Sequence, residues 1–120
     1  MYWSELNVWK RAHELVLKIY QVIANFLATE KYALSDQLKR AAYSVPSNIV
    51  EGHSRKTPKE FMQFLYQSRG SLEELRYFLL LAKDLNYLQT ENYDELEAES
   101  STVSKMLNGL IASVKQKINS

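Results

Sequence analysis

Apolar residues recur at intervals of three and four through nearly the whole chain, the period of one face of an α helix. Val8, Ala12, Leu15, Val16, Ile19, Ile23, Phe26 and Leu27 predict a first helix over about residues 8–28. The pattern lapses from Ala28 to Leu34, after which Ser35 and Asp36 offer N-cap oxygens to a second helix over 36–54. The stripe of that helix is Leu38, Ala41, Ala42, Val45 and Ile49, continued by Gly52. Thr57-Pro58-Lys59-Glu60 is the sharpest local signal, a capping-box Thr and Glu with proline at the first helical position, where its missing N–H costs nothing. It opens a third helix over 58–85, along Phe61, Phe64, Leu65, Ser68, Leu72, Leu75, Phe78, Leu79, Ala82 and Leu85. Asn92 and Glu95 repeat the capping arrangement, and Leu96, Val103, Met106, Leu107, Leu110, Ile111, Val114 and Ile118 predict a fourth helix over 92–118. Short connections favour antiparallel neighbours, so the expected architecture is an all-α, up-down four-helix bundle forming one domain over 1–120.

Three features interrupt this regularity. Pro46 removes a hydrogen bond inside the second helix; because the apolar line keeps its register across it, a kink is expected rather than a break, with Ser44, Ser47 and Asn48 placed to satisfy freed carbonyls. Beside the apolar stripe runs a polar one, Gln37, Arg40, Ser44, Asn48, Glu51 and Arg55. It is either an exposed flank or a network at a helix or subunit contact. Gly70, in the middle of the third helix, is read as permitting close packing against a neighbour. Of the aromatic residues, Tyr20 and Phe78 fit the core, whereas Tyr2, Trp3 and Tyr87 sit at segment ends.

Composition adds exclusions. Three glycines and two prolines are too few for many strands and tight turns, and the absence of cysteine removes disulfides, thiolate metal sites and a thiol nucleophile. No apolar run approaches the ~20 residues of a membrane span and no leader pattern opens the chain, so a cytoplasmic protein is expected. The net charge of +1 demands neither nucleic acid nor a membrane surface. Its distribution says more: Lys39, Arg40, Arg55, Lys56 and Lys59 face a single acid, Glu51, whereas Glu91, Asp94, Glu95, Glu97 and Glu99 form a run without a base. Two solvated faces of opposite sign are expected.

No chemistry follows from the spacings. A di-iron bundle needs two Glu-x-x-His motifs, and the only histidines, His13 and His53, lack them. His13-Glu14 is not followed by a second histidine at zincin spacing. One histidine beside Glu51 and Arg55 is thin support for a general base at His53. The expectation is no enzyme, no metal and no cofactor.

The segments Leu6-Asn7-Val8-Trp9-Lys10-Arg11-Ala12, Gln37-Leu38-Lys39-Arg40-Ala41-Ala42-Tyr43-Ser44-Val45-Pro46-Ser47-Asn48-Ile49-Val50-Glu51-Gly52, Gly70-Ser71-Leu72-Glu73-Glu74-Leu75 and Asn86-Tyr87-Leu88 resemble, in the same order, a bacterial four-helix-bundle family. That family includes proteins encoded in intervening sequences of 23S ribosomal RNA and the accessory variability determinants of diversity-generating retroelements. Ser68 departs from the alanine usual there. The resemblance implies a homopentamer without catalytic activity, which in the retroelement branch binds a reverse transcriptase and structured RNA through basic surfaces. The nucleic-acid-binding candidates are then Lys39, Arg40, Arg55, Lys56, Lys59, Arg69 and Arg76. The interface and packing candidates are Gln37, Ser44, Pro46, Asn48, Glu51, Gly52, Gly70, Ser71 and Glu74. The alternative is a protein–protein scaffold without direct nucleic-acid binding, in which the basic segment of one chain docks on the acidic segment of another.

Overall fold

In a computed structural model, which describes residues 2–26 and 34–120, the periodic segments become four long helices. They are α1 (Asn7–Ile23), α2 (Leu34–His53), α3 (Pro58–Asp84) and α4 (Thr90–Asn119), with a 3-10 turn at Trp3–Glu5 before α1. Each helix touches the next and α1 also touches α4, so the four close into a ring around a shared core. Cross-helix pairs fix the directions. Lys39 lies over Tyr20, Ser44 meets Ser71, Arg76 meets Glu97 and Lys18 meets Glu99. Second contacts along each interface, Leu6 with His53 on one cleft, Gly52 beside Phe64, Arg69 with Asn108, and Arg11 with Glu99 against Lys18 with Glu95, run in opposite senses and make all neighbours antiparallel. The rod measures 51 × 22 × 20 Å.

Local chemistry explains where the helices stop. At the start of α3 the Thr57 hydroxyl oxygen accepts the Glu60 N–H at 3.2 Å and the hydroxyl donates to the Glu60 carboxylate at 3.1 Å, with Pro58 at the first helical position. At its end Asn86 takes the left-handed conformation, φ 63°. The N–H groups of Asn86 and Tyr87 return to the carbonyls of Lys83 and Ala82 at 3.0 and 2.9 Å, a Schellman closure.

Three boundary expectations need correction. Ser35 and Asp36 do not cap α2 but lie in its first turn, Ser35 fully buried. Asn92 does not cap α4, because the helix starts two residues earlier after an extended Gln89 that makes no side-chain cap. α1 ends at Ile23, five residues short of the expected end; Leu27 and Ala28 lie outside the described residues.

The stripes read from the sequence form one cluster along the rod, with Leu15, Ile19, Leu38, Ile49, Leu65, Leu72, Leu75, Leu79, Leu96 and Leu107 almost wholly enclosed. Three assigned members fall outside it: Tyr20 and Leu85 are 41% and 47% exposed, and Phe64 is half-buried beside the Arg55 guanidinium. Tyr20 instead carries the ammonium of Lys39 over its ring, 5.5 Å from the centroid.

α2 and α3 approach most closely, through small residues. α2 runs unbroken through Pro46, which is buried. Ser68 donates to the Val45 carbonyl at 2.8 Å, the Ser44 and Ser71 hydroxyls are 2.8 Å apart, and the Asn48 amide donates to the Ser44 carbonyl at 2.8 Å. A Cβ on Gly52 would stand 2.6 Å from the Phe64 Cβ and 2.9 Å from the Phe61 ring. Gly70, expected to serve the same purpose, does not: a Cβ there meets nothing within 4 Å.

The two glycines therefore respond oppositely to the same substitution. Gly52→Ala lowers unfolding free energy by about 1–3 kcal/mol through overpacking. Gly70→Ala raises it by about 0.5–1 kcal/mol by removing glycine from a helix interior. Urea denaturation of the two variants checks both signs.

Candidate nucleic-acid interface

The antiparallel order brings the turn between α2 and α3, the residues before α1 and the last turns of α4 to one end of the rod. Three of the predicted basic residues, Arg55, Lys56 and Lys59, are gathered there on the exposed turn and first helical turn of α3. Arg55 is held in place: its guanidinium donates to Glu51 at 2.9 Å and lies 4.8 Å from the centre of the Phe64 ring. Among the described residues, Lys56 and Lys59 have no carboxylate within 4 Å. Lys117, from the last turns of α4, joins them without a carboxylate partner and lines a shallow depression with Lys59.

Between these elements opens a cleft of about 460 Å³. Leu6, Phe61, Leu110 and Val114 give it an apolar floor, and His53, Arg55, Lys56 and Lys117 a rim. Among the described residues no acidic side chain lines it. The His53 ring meets Phe61 edge to face, 5.6 Å between centroids at 88°. Lys117 was not among the sequence candidates. The signal for it was present, because Leu110, Ser113, Val114 and Lys117 are spaced three, one and three apart on one face, and an up-down topology places that face beside the α2–α3 turn.

The remaining basic candidates lie elsewhere. Lys39 and Arg40 are about 20 Å away along α2 at 1.5 Å per residue. Arg69 covers the Tyr66 ring at 5.0 Å and reaches Asn108 across the α3–α4 face. Arg76 is engaged by carboxylates: its Nη2 and Nε donate to one Glu97 oxygen at 2.6 and 3.2 Å, and its Nη1 to Glu73 at 3.0 Å. These bonds, opposed by partial burial, raise its pKa above the ordinary value and make it a link between α3 and α4. Of the interface and packing candidates, Ser44, Asn48, Gly52 and Ser71 lie in the α2–α3 seam and Pro46 is buried in α2, while Gln37, Glu51, Gly70 and Glu74 face solvent.

Toward the opposite end lies the acidic run, part of which is neutralised. Glu99 accepts a hydrogen bond from Lys18 at 2.9 Å and is 3.8 Å from Arg11; Glu95 is 3.7 Å from Lys18. The Glu99 hydrogen bond, ahead of burial, dominates the Lys18 environment and raises its pKa. Burial raises that of Tyr93. Among the described residues no three His, Asp or Glu side chains are grouped to hold a metal ion, and no helix is long and apolar enough to cross a membrane.

The sequence profile of a family described as 23S rRNA-intervening sequence protein matches residues 4–109. Among solved structures, the chain is similar to a protein of unknown function from the S23 ribosomal protein family of Bacteroides thetaiotaomicron VPI-5482. The two are 24% identical over 87% of this chain and 97% of that one, with a TM-score of 0.80, a likeness of fold. No curated protein matches.

Two outcomes follow from the paired charges. Arg76→Gln lowers stability by about 1–2 kcal/mol, the partly exposed pair being screened by solvent; chemical denaturation of the variant checks it. Lys18 and Tyr93 both hold their protons more tightly folded than unfolded. Their contribution is therefore complete below the ordinary values of 10.5 and 10.0 and is lost as pH rises through the raised ones. Thermal melts fall above about pH 10, and less steeply in Tyr93→Phe.

Proposed function

The chain belongs to the 23S rRNA-intervening sequence protein family, and we propose that it is a non-enzymatic accessory protein that binds structured RNA as a homo-oligomer. The observation that carries this reading is the end of the rod where Arg55, Lys56, Lys59 and Lys117 converge, three of them without a carboxylate partner among the described residues. Ammonium and guanidinium groups of this kind release counterions from a phosphate backbone and read its shape rather than its base edges. Symmetry multiplies the effect: in a homopentamer each such cation occurs five times, and a patch too weak alone gains by avidity.

Self-association is supported by α3. Tyr66, Gly70, Glu73, Tyr77 and Leu80 follow one line of the helix, and Tyr66, Tyr77 and Leu80 are 40%, 58% and 38% exposed. Apolar groups aligned in this way, beside a glycine with open space over it, suit a contact between copies. Support of a reverse transcriptase is the role that the resemblance to the retroelement branch adds to this surface.

A second reading, a protein–protein scaffold, is favoured by Glu91 and Asp94, exposed acids without a cationic partner among the described residues. They would receive the basic end of another copy.

Triple reversal of Arg55, Lys56 and Lys59 to Glu separates the readings. RNA binding at the basic end predicts at least about a tenfold loss of affinity and a log affinity–log salt slope shallower by about 3, with particle mass unchanged by light scattering at five times the 14.0 kDa chain. Wild-type protein that ignores structured RNA even at low salt, with a triple variant that fails to assemble, leaves the scaffold reading in place.

A further inference from the structure

We propose that the cleft at the basic end is a binding site for a nucleoside monophosphate, the flat base lying on the Phe61 and His53 wall and the phosphate meeting Lys56 and Lys117. The inference rests on the reading of that end as a phosphate-binding surface and deepens it, because a convex patch of lysines would suffice for a backbone and this surface is concave. About 460 Å³ lies within the range of small-molecule sites. Its walls divide by chemistry. Phe61, Pro58, Leu110 and Val114 supply its apolar lining. The perpendicular His53 and Phe61 rings offer a face and an edge for stacking.

The polar side is made of donors. Arg55 also lines the cleft, but its guanidinium is taken up by Glu51 and the Phe64 ring, which leaves the lysines to meet an anion. Lys56 and Lys117 approach from different elements, the turn after α2 and the end of α4, so their charges converge on the space between. Lys56 and Lys117, two cations without a carboxylate partner among the described residues, suit the charge of about −1.5 to −2 on a phosphate monoester better than a single carboxylate. The Thr57 hydroxyl is committed to Glu60, leaving the Ser113 hydroxyl to reach a base edge or a ribose. The same chemistry is presented by a free mononucleotide and by the phosphorylated end of an RNA strand.

Calorimetric titration of the full chain with adenosine 5′-monophosphate, adenosine and inorganic phosphate tests the site. The mononucleotide is expected to bind at least about tenfold more tightly than either fragment. Ser113 is exposed, so Ser113→Trp is expected to fill the cleft, keep the wild-type melting temperature and weaken the mononucleotide by at least about tenfold. Its affinity for a structured RNA without a terminal phosphate is expected to stay within about twofold. Lys117→Glu gives a second, charge-based loss of the mononucleotide. A 5′-phosphorylated single strand that displaces the mononucleotide, where its 5′-hydroxyl twin does not, identifies strand ends as the source; displacement by neither identifies the free nucleotide. Equal binding of mononucleotide and inorganic phosphate, or a Ser113→Trp protein that binds the mononucleotide like wild type, overturns the inference. Failure of the RNA-binding reading is seen separately, as wild-type protein without salt-dependent affinity for the unphosphorylated RNA.

Discussion

The close approach of α2 and α3 is the constraint on which the rest depends. A leucine at position 52 would hold the helices apart; glycine lets the backbone of α2 come against Phe61 and Phe64. Farther along, Ser68 and Ser71 put hydroxyls where larger side chains would not fit, and both find oxygen partners on α2. Buried polar groups tolerate few wrong registers, since a shift leaves each of them unpaired at about 1–3 kcal/mol. The seam therefore fixes how α2 and α3 slide relative to one another. It also fixes the turn that joins them, which holds Arg55 over Phe64 and Lys56 at the mouth of the cleft.

The helices were legible in the sequence because their period is a property of every residue, and four long stripes leave few alternatives. The start of α3 was legible for a different reason: Thr57, Pro58 and Glu60 complete their interactions within four residues. Asn92 carried the same kind of signal but lost to the chain before it, where extended Gln89 lets the helix begin at Thr90. Gly52 and Gly70 show the limit of local reading. Both are helix glycines, and only the facing helix decides that one is enclosed and the other open. The site was half legible, since Arg55, Lys56 and Lys59 are neighbours in the chain, whereas Lys117 reaches them only through topology.

Net charge is a poor guide to this molecule because pairing removes charges unevenly. Arg76 is taken up by Glu97 and Glu73, and Lys18 by Glu99 and Glu95, all along the flanks of the rod. The helix dipoles add little, since antiparallel neighbours place two positive and two negative ends together. What survives among the described residues is cations such as Lys56, Lys59 and Lys117 at one end and acids such as Glu91 and Asp94 toward the other. The separation matters because the rod is 51 Å long, whereas a charge is felt over only about 8 Å at physiological ionic strength. An anion approaching the α2–α3 turn therefore meets the local cations and not the sum. A chain of charge +1 can act as a basic protein at one end, and the same screening keeps the acidic end from cancelling it.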